Sequence, residues 1–176
     1  MEKFPKTYDV LIIGAGPAGA NAAISYKNLN PSLTVGLVDK AIFPRDKSCG
    51  DAIGPGVISA LKRFNNEHIL DGEPQVVSTT LYGPDNIGIQ NYIPEVKNKE
   101  DSIVYVIPRL DLDNRILNLA KESGVDVYEG YSFVDFTSNE DRSLNVQIKN
   151  DNQNLELLTK ILVGADGANS RIRKKL

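Results

Sequence analysis

One glycine-rich motif limits the folds open to this chain more than any other feature. The motif, Gly14-Ala-Gly-Pro-Ala-Gly19, follows a β-branched and apolar run at residues 8–13 that predicts a strand buried on both faces. It opens an alanine-rich segment, Pro17–Leu29, that predicts a helix. Residues 33–38 predict a second buried strand. A strand, a helix and a strand in this order predict a parallel pair of strands joined by a crossover helix.

The spacing of the motif fits a binding site for the diphosphate of a dinucleotide. Gly14 permits the tight turn after the strand, Gly16 lets the backbone approach a pyrophosphate, and Gly19 lets the helix pack against the strand. The phosphates would lie at the N-terminus of the helix, where unpaired N–H groups and the helix dipole favour anions. Asp39 lies twenty residues after Gly19, at the end of the second strand. That is where an acidic residue binds the hydroxyls of an adenosine ribose.

The identity of the dinucleotide is left open by these residues. NAD and FAD present the same ADP ribose to the Asp39 carboxylate. An acidic residue at this point argues against a 2′-phosphate, and therefore against NADP at this site.

Composition and charge exclude several other classes of protein. The chain has 176 residues, about one domain, and its net charge of −3 argues against a nucleic-acid partner. Its only cysteine, Cys49, excludes an intrachain disulfide framework and fits a reducing, cytoplasmic location. No apolar run approaches the roughly 18 residues of a membrane-spanning helix. His68 is the only histidine and has no neighbours suited to a metal site.

The rest of the chain predicts a mixture of helices and strands. Residues 40–56 predict a long turn-rich loop, of the kind that is usually functional or disordered. Helices are predicted at 55–64 and 111–123, and strand-like pieces at 75–82, 87–92, 102–107 and 125–128. Residues 131–137, 144–149 and 155–159 predict an antiparallel meander, followed by a buried strand at 161–163 and the start of a helix after Gly167.

Three segments carry a resemblance to a known family. Phe43-Pro-Arg-Asp-Lys-Ser-Cys-Gly-Asp51 resembles the Pro-Arg-x-Lys-x-Cys-Gly segment of the FAD-dependent geranylgeranyl reductases, part of the para-hydroxybenzoate-hydroxylase-like group of flavoproteins. Arg109, ahead of the 111–123 helix, resembles an arginine of that family that contacts the flavin cofactor. Gly164-Ala-Asp-Gly167 resembles the Asp-Gly motif of the group. The likeness spans essentially the whole chain. It implies an α/β, Rossmann-like FAD-binding domain of the glutathione-reductase type, with a parallel sheet and an antiparallel β-meander crossover.

The resemblance also implies roles for individual residues. Asp166 and Gly167 would complete the dinucleotide cleft, and Cys49 would lie beside the isoalloxazine ring as the candidate catalytic residue. The positive charges of Arg45 and Lys47 beside Cys49 would lower the pKa of its thiol. A buried, purely structural role for Cys49 stays open. The implied cofactor-binding residues are Gly14, Gly16, Pro17, Ala18, Gly19, Asp39, Lys40, Arg45, Cys49, Gly50, Arg109, Asp166 and Gly167.

The function implied is flavin-mediated hydride reduction of isoprenoid carbon–carbon double bonds, in lipid biosynthesis. FAD would be the cofactor, NAD(P)H the electron donor, and the substrate an isoprenoid or other apolar small molecule, with peripheral contact to a membrane. One alternative is a flavin-dependent monooxygenase or halogenase. The other is a non-catalytic module that binds FAD or its ADP part and needs a partner chain.

Family members run to roughly twice this length or more, beyond one domain. They carry a second Gly-Asp motif and a substrate domain for which this chain has no candidate. Residues 1–176 are therefore expected to form an incomplete FAD-binding domain, as a fragment, a split-gene product or a truncated chain. A partner chain would then supply the missing half.

Overall fold

The computed structural model of the protein describes residues 6–92 and 104–176. Within these ranges the chain forms three α-helices, a short 3-10 helix at Glu67–Leu70 and ten strands. The α-helices are α1 (Pro17–Leu29), α2 (Pro55–Lys62) and α3 (Arg109–Glu122). The strands are β1 (Lys6–Ile13), β2 (Val35–Asp39), β3 (Ala52–Ile53), β4 (Ser78–Tyr82), β5 (Gly88–Tyr92), β6 (Tyr105–Val106), β7 (Asp126–Glu129), β8 (Ser132–Ser138), β9 (Leu144–Lys149) and β10 (Asn154–Gly164).

The chain divides into two compact units. Unit 1 comprises Met1–Arg45 and Asp113–Leu176, and unit 2 comprises Asp46–Leu112. Unit 1 contains a six-stranded sheet with the strand order β7-β2-β1-β10-β9-β8. Strand β1 pairs in parallel with β2 and β10, and β2 pairs in parallel with β7. Strands β8, β9 and β10 pair antiparallel, which confirms a parallel sheet with an antiparallel meander.

The core of unit 1 explains a glycine inside a strand. Tyr8 and Leu11 of β1 are completely buried, and both lie against Gly36 of β2. A Cβ atom at Gly36 would lie 2.7 Å from Leu11 Cδ1 and 3.1 Å from the Tyr8 ring. Because Gly36 has no side chain, β1 and β2 can pair closely while the Tyr8 ring packs against Gly36. Other buried members of this core are Ile13, Val38, Phe133, Val146, Ile148, Leu157 and Ile172.

Unit 2 contains two small sheets. Strand β3 pairs with β6, and β4 with β5, both antiparallel. The β4–β5 hairpin has exposed apolar side chains on both strands: Leu81, Tyr82, Ile89 and Tyr92. Two-stranded hairpins are marginally stable by themselves, because they bury little apolar area.

Strand β10 differs from its prediction. The strands expected at 155–159 and 161–163 are one strand, Asn154–Gly164. Lys160 interrupts the apolar pattern, but its Nζ atom lies 2.7 Å from Asp9 Oδ1 on the neighbouring strand β1. The charged residue is thus accommodated without ending the strand. The prediction of a buried segment here was also inaccurate, since Ile161 is 48% exposed.

Two other expectations changed. The prediction of a helix after Gly167 was wrong, because residues 168–169 and 171–175 form turns. The strand expected at 102–107 is described only from residue 104, and its first two residues lie outside the described ranges. In the described part of the chain, no helix combines the length and the hydropathy required to cross a membrane.

Candidate functional site

The glycine-rich loop after β1 is packed so closely that two of its glycines cannot be replaced without movement. Gly14 has a φ of +104°, and its N–H donates to the carbonyl of Val38 at 2.7 Å. A Cβ atom at Gly14 would overlap the carbonyl of Ala165, and one at Gly19 would overlap the carbonyl of Gly14. The loop therefore joins the carboxyl ends of β1, β2 and β10 through backbone contacts.

The N-terminus of α1 lies directly after this loop. Gly16 is its N-cap and Pro17 begins it, while Ala18 in the first turn is exposed. Among the described residues, no side chain caps this helix, and its first turn contains no acidic residue. Uncapped N–H groups and the positive end of the helix dipole both favour an anion here.

Gly16 has free space at its Cβ position, whereas Gly14 and Gly19 do not. The nearest described atom to a Cβ built on Gly16 is Arg45 Nη2, at 3.5 Å. An anion at α1 would therefore meet bare backbone on one side and a guanidinium group on the other.

Asp39 ends β2 and accepts two backbone hydrogen bonds. Its Oδ2 accepts from Ala15 N–H at 2.7 Å, and its Oδ1 accepts from Ala41 N–H at 2.9 Å. Each carboxylate oxygen keeps a further lone pair, which can accept a hydroxyl group. Lys40 beside it is exposed. Asp39 thus holds the glycine-rich loop and also retains the acceptor capacity required for a ribose.

Asp166 follows β10 and carries an unusual buried atom. Its Oδ2 accepts from Arg171 N–H at 2.6 Å, while its Oδ1 is buried without a hydrogen-bond partner in the described part of the chain. Burial raises the pKa of Asp166, but hydrogen bonds from Ser170 and Arg171 outweigh it and hold the pKa below its ordinary value. The ionised carboxylate therefore has one oxygen that lacks a donor. Gly167, next in the chain, has a φ of +85°.

A second group of predicted site residues lies in unit 2. Cys49 is exposed, so the alternative of a buried structural cysteine is wrong. Asp51 has a φ of +55°, and its Oδ1 accepts from Arg109 N–H at 3.3 Å. The pKa of the Cys49 thiol is lowered by a hydrogen bond from Asp51 N–H, then by the Arg109 side chain, and less by Gly50 N–H.

The cause of the Cys49 shift differs from the expected one. The sequence pointed to Arg45 and Lys47, the nearest positive charges along the chain. The structure assigns the effect to Arg109 and to the backbone, because the β3–β6 pairing and the contact of Asp51 with Arg109 join the two segments.

The predicted residues therefore form two groups. Unit 1 contains the glycine-rich loop with Asp39, Arg45 and Asp166, and unit 2 contains Cys49, Gly50 and Arg109. Sequence reasoning missed Asp113, which is completely buried and lies 3.4 Å from Arg45. The available signal was its place on the same helical face as Ile116 and Ala120. Within the described ranges, no cluster of His, Cys, Asp and Glu side chains is suited to a metal ion.

Two curated proteins are similar to this chain over nearly its whole length. The menaquinone reductase of Mycolicibacterium smegmatis is 30% identical over 168 residues, covering 96% of this chain and 39% of that protein. The digeranylgeranylglycerophospholipid reductase of Picrophilus torridus is 26% identical over 165 residues, covering 93% of this chain and 40% of that protein. The chain thus spans about two fifths of the length of these relatives.

Solved structures share the fold. The p-nitrophenol 4-monooxygenase PnpA of Pseudomonas putida superposes with a TM-score of 0.83 at 15% identity, covering 97% of this chain and 44% of that one. At this identity the likeness extends to the fold, which is that of the para-hydroxybenzoate-hydroxylase-like flavoproteins. The model of one family, described as the FAD binding domain, matches residues 7–176. That match covers nearly the whole chain, which therefore belongs to the FAD binding domain family.

Proposed function

We propose that the chain is the cofactor-binding part of a flavin-dependent reductase of carbon–carbon double bonds in isoprenoid chains. Two curated relatives are named for the reduction of menaquinone and of a digeranylgeranyl lipid. Both molecules carry isoprenoid chains. The observation that carries the proposal is the exposed Cys49 thiol, because saturation of a double bond needs a proton donor as well as a hydride.

The residues of unit 1 fit the ADP half of FAD. The uncapped N-terminus of α1 and the Arg45 guanidinium suit a diphosphate, since charged hydrogen bonds to phosphate are the strong ones. The lone pairs of Asp39 suit ribose hydroxyls. The buried, unpartnered Oδ1 of Asp166 supplies a further acceptor for a hydroxyl or N–H donor. A dinucleotide that donates there would remove the cost of an unsatisfied buried atom.

Cys49 is the proposed acid. When bound in its reduced form, FAD supplies the hydride for one alkene carbon and is oxidised by two electrons, with NAD(P)H as the proposed source of those electrons. Cys49 Sγ holds the proton for the other carbon. Arg109 and the Asp51 N–H stabilise the thiolate that remains, as the lowered pKa of Cys49 indicates. The sulfur then takes up a proton from solvent, to which it is exposed.

The β4–β5 hairpin supports an apolar substrate. Its exposed side chains include Leu81 and Ile89, which are 67% and 65% exposed. Leu81 and Ile89 are directly opposite each other in the hairpin, and an exposed apolar patch is a candidate binding surface. The proposed setting is the cytoplasm, for which a single unpaired cysteine is suited, with the apolar substrate drawn from a membrane surface.

Cofactor binding is tested first on the purified chain. We expect a flavin absorbance spectrum near a 1:1 ratio, or saturable quenching of FAD fluorescence when the chain is added. NADH is the matched competitor, because it carries the same ADP ribose. The flavin assignment would be overturned if the purified chain is colourless, binds NADH tightly and does not bind FAD.

The reaction is tested with FAD, NAD(P)H and a geranylgeranyl lipid under anaerobic conditions, with mass spectrometry of the product. We expect addition of one H₂ per reduced double bond. In Cys49→Ser, measured at saturating FAD, we expect the turnover rate to fall by about a hundredfold or more. Incorporation of oxygen from O₂ under air would support a monooxygenase instead. A chain that binds FAD without turnover would support a binding module that needs a partner chain.

A further inference from the structure

Asp113 is a completely buried carboxylate on α3. Its burial is not expected from its position in the sequence. An acid near the start of a helix usually faces solvent and stabilises the helix dipole, as the exposed Asp111 in the first turn does. Asp113 has no exposed surface, and its Oδ2 lies 3.4 Å from Arg45 Nη1. Burying a carboxylate is costly unless a cation accompanies it. Stabilisation of the helix dipole therefore does not explain why Asp113 is buried beside Arg45.

Arg45 is also held by the ring of Phe43. Its Cζ atom lies 4.9 Å from the centroid of the Phe43 ring, a cation–π arrangement. Phe43 is itself mostly buried, and its N–H donates to Glu129 Oε2 at 2.9 Å. The Arg45 side chain is only 19% exposed, so its guanidinium group is confined rather than solvated.

The two ends of the guanidinium group face different partners. Nη1 lies toward Asp113, and Nη2 lies 3.5 Å from the position of a Cβ on Gly16. Gly16 is the N-cap of α1, whose N–H groups lack a side-chain cap among the described residues. A planar guanidinium group can span these two places, whereas the single ammonium group of a lysine cannot.

We propose that Asp113 is a positioning residue that holds Arg45 at the N-terminus of α1, so that the guanidinium group meets the diphosphate of the dinucleotide. The inference rests on the proposed function in one respect, since it takes FAD as the ligand. Asp113 does not contact the ligand itself. It fixes the rotamer of a long side chain before binding, and a residue fixed in advance loses less conformational entropy when its ligand arrives.

The test is a double-mutant cycle on FAD affinity, measured by fluorescence titration of the whole chain. Asp113→Asn and Arg45→Met should each weaken FAD binding by about tenfold or more. If Asp113 acts through Arg45, the double variant should bind no more weakly than Arg45→Met. An equal loss in both backgrounds would overturn the inference, because a general structural effect is independent of Arg45. Asp111→Asn is the matched control on the same helix and should bind as the wild type does.

Substitution of the buried Asp113 could prevent folding, so a second variant leaves Asp113 unchanged. Arg45→Lys retains the positive charge and the ion pair, but it cannot also reach Gly16. We expect FAD binding about tenfold weaker than in the wild type. Wild-type affinity in Arg45→Lys would overturn the inference. Failure of the wild-type chain to bind FAD would overturn the proposed function, whereas wild-type binding with unchanged affinity in Asp113→Asn overturns only the role of Asp113.

Discussion

Asp39 Oδ2 accepts a 2.7 Å hydrogen bond from the N–H of Ala15, which connects the end of β2 to the middle of the glycine-rich loop. The motif predicts that Asp39 binds a ribose. In the structure the same side chain also stabilises the loop of that motif by a hydrogen bond. Ala15 is completely buried, so its N–H would otherwise have to find another acceptor in the protein. The carboxylate proposed for ribose recognition is thus the one that holds the loop in place.

The first prediction concerns that carboxylate. In Asp39→Asn an amide NH₂ replaces one of the oxygens, so either Ala15 or Ala41 loses its acceptor. An unsatisfied buried N–H costs about 1–3 kcal/mol, and we expect that loss in the free energy of unfolding measured with urea. FAD binding should weaken by about tenfold in fluorescence titrations. The exposed Asp151→Asn is the control, and a similar loss there would contradict the assignment.

The second prediction concerns Gly19. An added Cβ would overlap the carbonyl oxygen of Gly14, so β1 and α1 would have to separate. We expect Gly19→Ala to lower the free energy of unfolding by about 1–3 kcal/mol and to weaken FAD binding.

Gly56→Ala is the matched control for Gly19→Ala. It lies within α2, and no described atom lies within 4 Å of its Cβ position. Alanine should stabilise that helix by about 0.5–1 kcal/mol. Equal effects of the two substitutions would show that close packing at Gly19 is unimportant.

The third prediction is a pH dependence centred on Asp9. Hydrogen bonds from Lys160, and then from Thr34, lower the pKa of Asp9 from 3.8 to about 2. A carboxyl whose pKa is depressed in the folded state stabilises that state above its unfolded pKa, and the effect disappears as pH falls through the folded pKa. The stability advantage of the wild type over Asp9→Asn should therefore be largest near neutral pH and shrink between about pH 4 and pH 2. Urea midpoints across that range measure it.

Salt is the control for Asp9, because its partner Lys160 is 71% exposed. The advantage of the wild type should fall as the ionic strength rises. The exposed Asp71→Asn should have little effect at any pH. An advantage that persists unchanged at pH 2 would contradict the prediction.

The fourth prediction concerns the reactivity of Cys49, the only cysteine of the chain. The Arg109 side chain contributes to its lowered pKa, so Arg109→Gln should raise that pKa and shift the pH profile of alkylation to higher pH. Stoichiometric alkylation followed by mass spectrometry measures the rate. Lys47→Gln distinguishes the two explanations, because Lys47 is closer along the chain but does not contribute. A larger shift in Lys47→Gln than in Arg109→Gln would contradict the structure.

Local patterns predicted the strand–helix–strand unit well. The helix Pro17–Leu29 has the predicted bounds, because a proline can begin it and Asn30-Pro31 ends it. The glycines of the motif form the predicted turn. It could be predicted because the backbone of Gly14, close in the sequence, leaves no room for a side chain at Gly19. The meander was predicted from its turn residues, and Leu144–Lys149 has the predicted bounds.

Contacts between distant segments were beyond local patterns. Strand β10 continues through Lys160 because Asp9, 151 residues earlier, neutralises it. The pKa of Cys49 is lowered first by a hydrogen bond from the Asp51 N–H and then by Arg109, which the fold brings to it from a distant segment.

The amino-acid pattern alone was enough to predict the glycine-rich loop, the helix that follows it and the acidic end of β2, because those constraints act over a few neighbouring residues. Which charged side chains pair with each other depends instead on the folded chain. Arg45 pairs with Asp113, and Asp113 is buried, because the pairing of charges depends on how helices and strands pack. A buried charge is tolerated only where packing delivers its partner, and packing is a property of the whole fold.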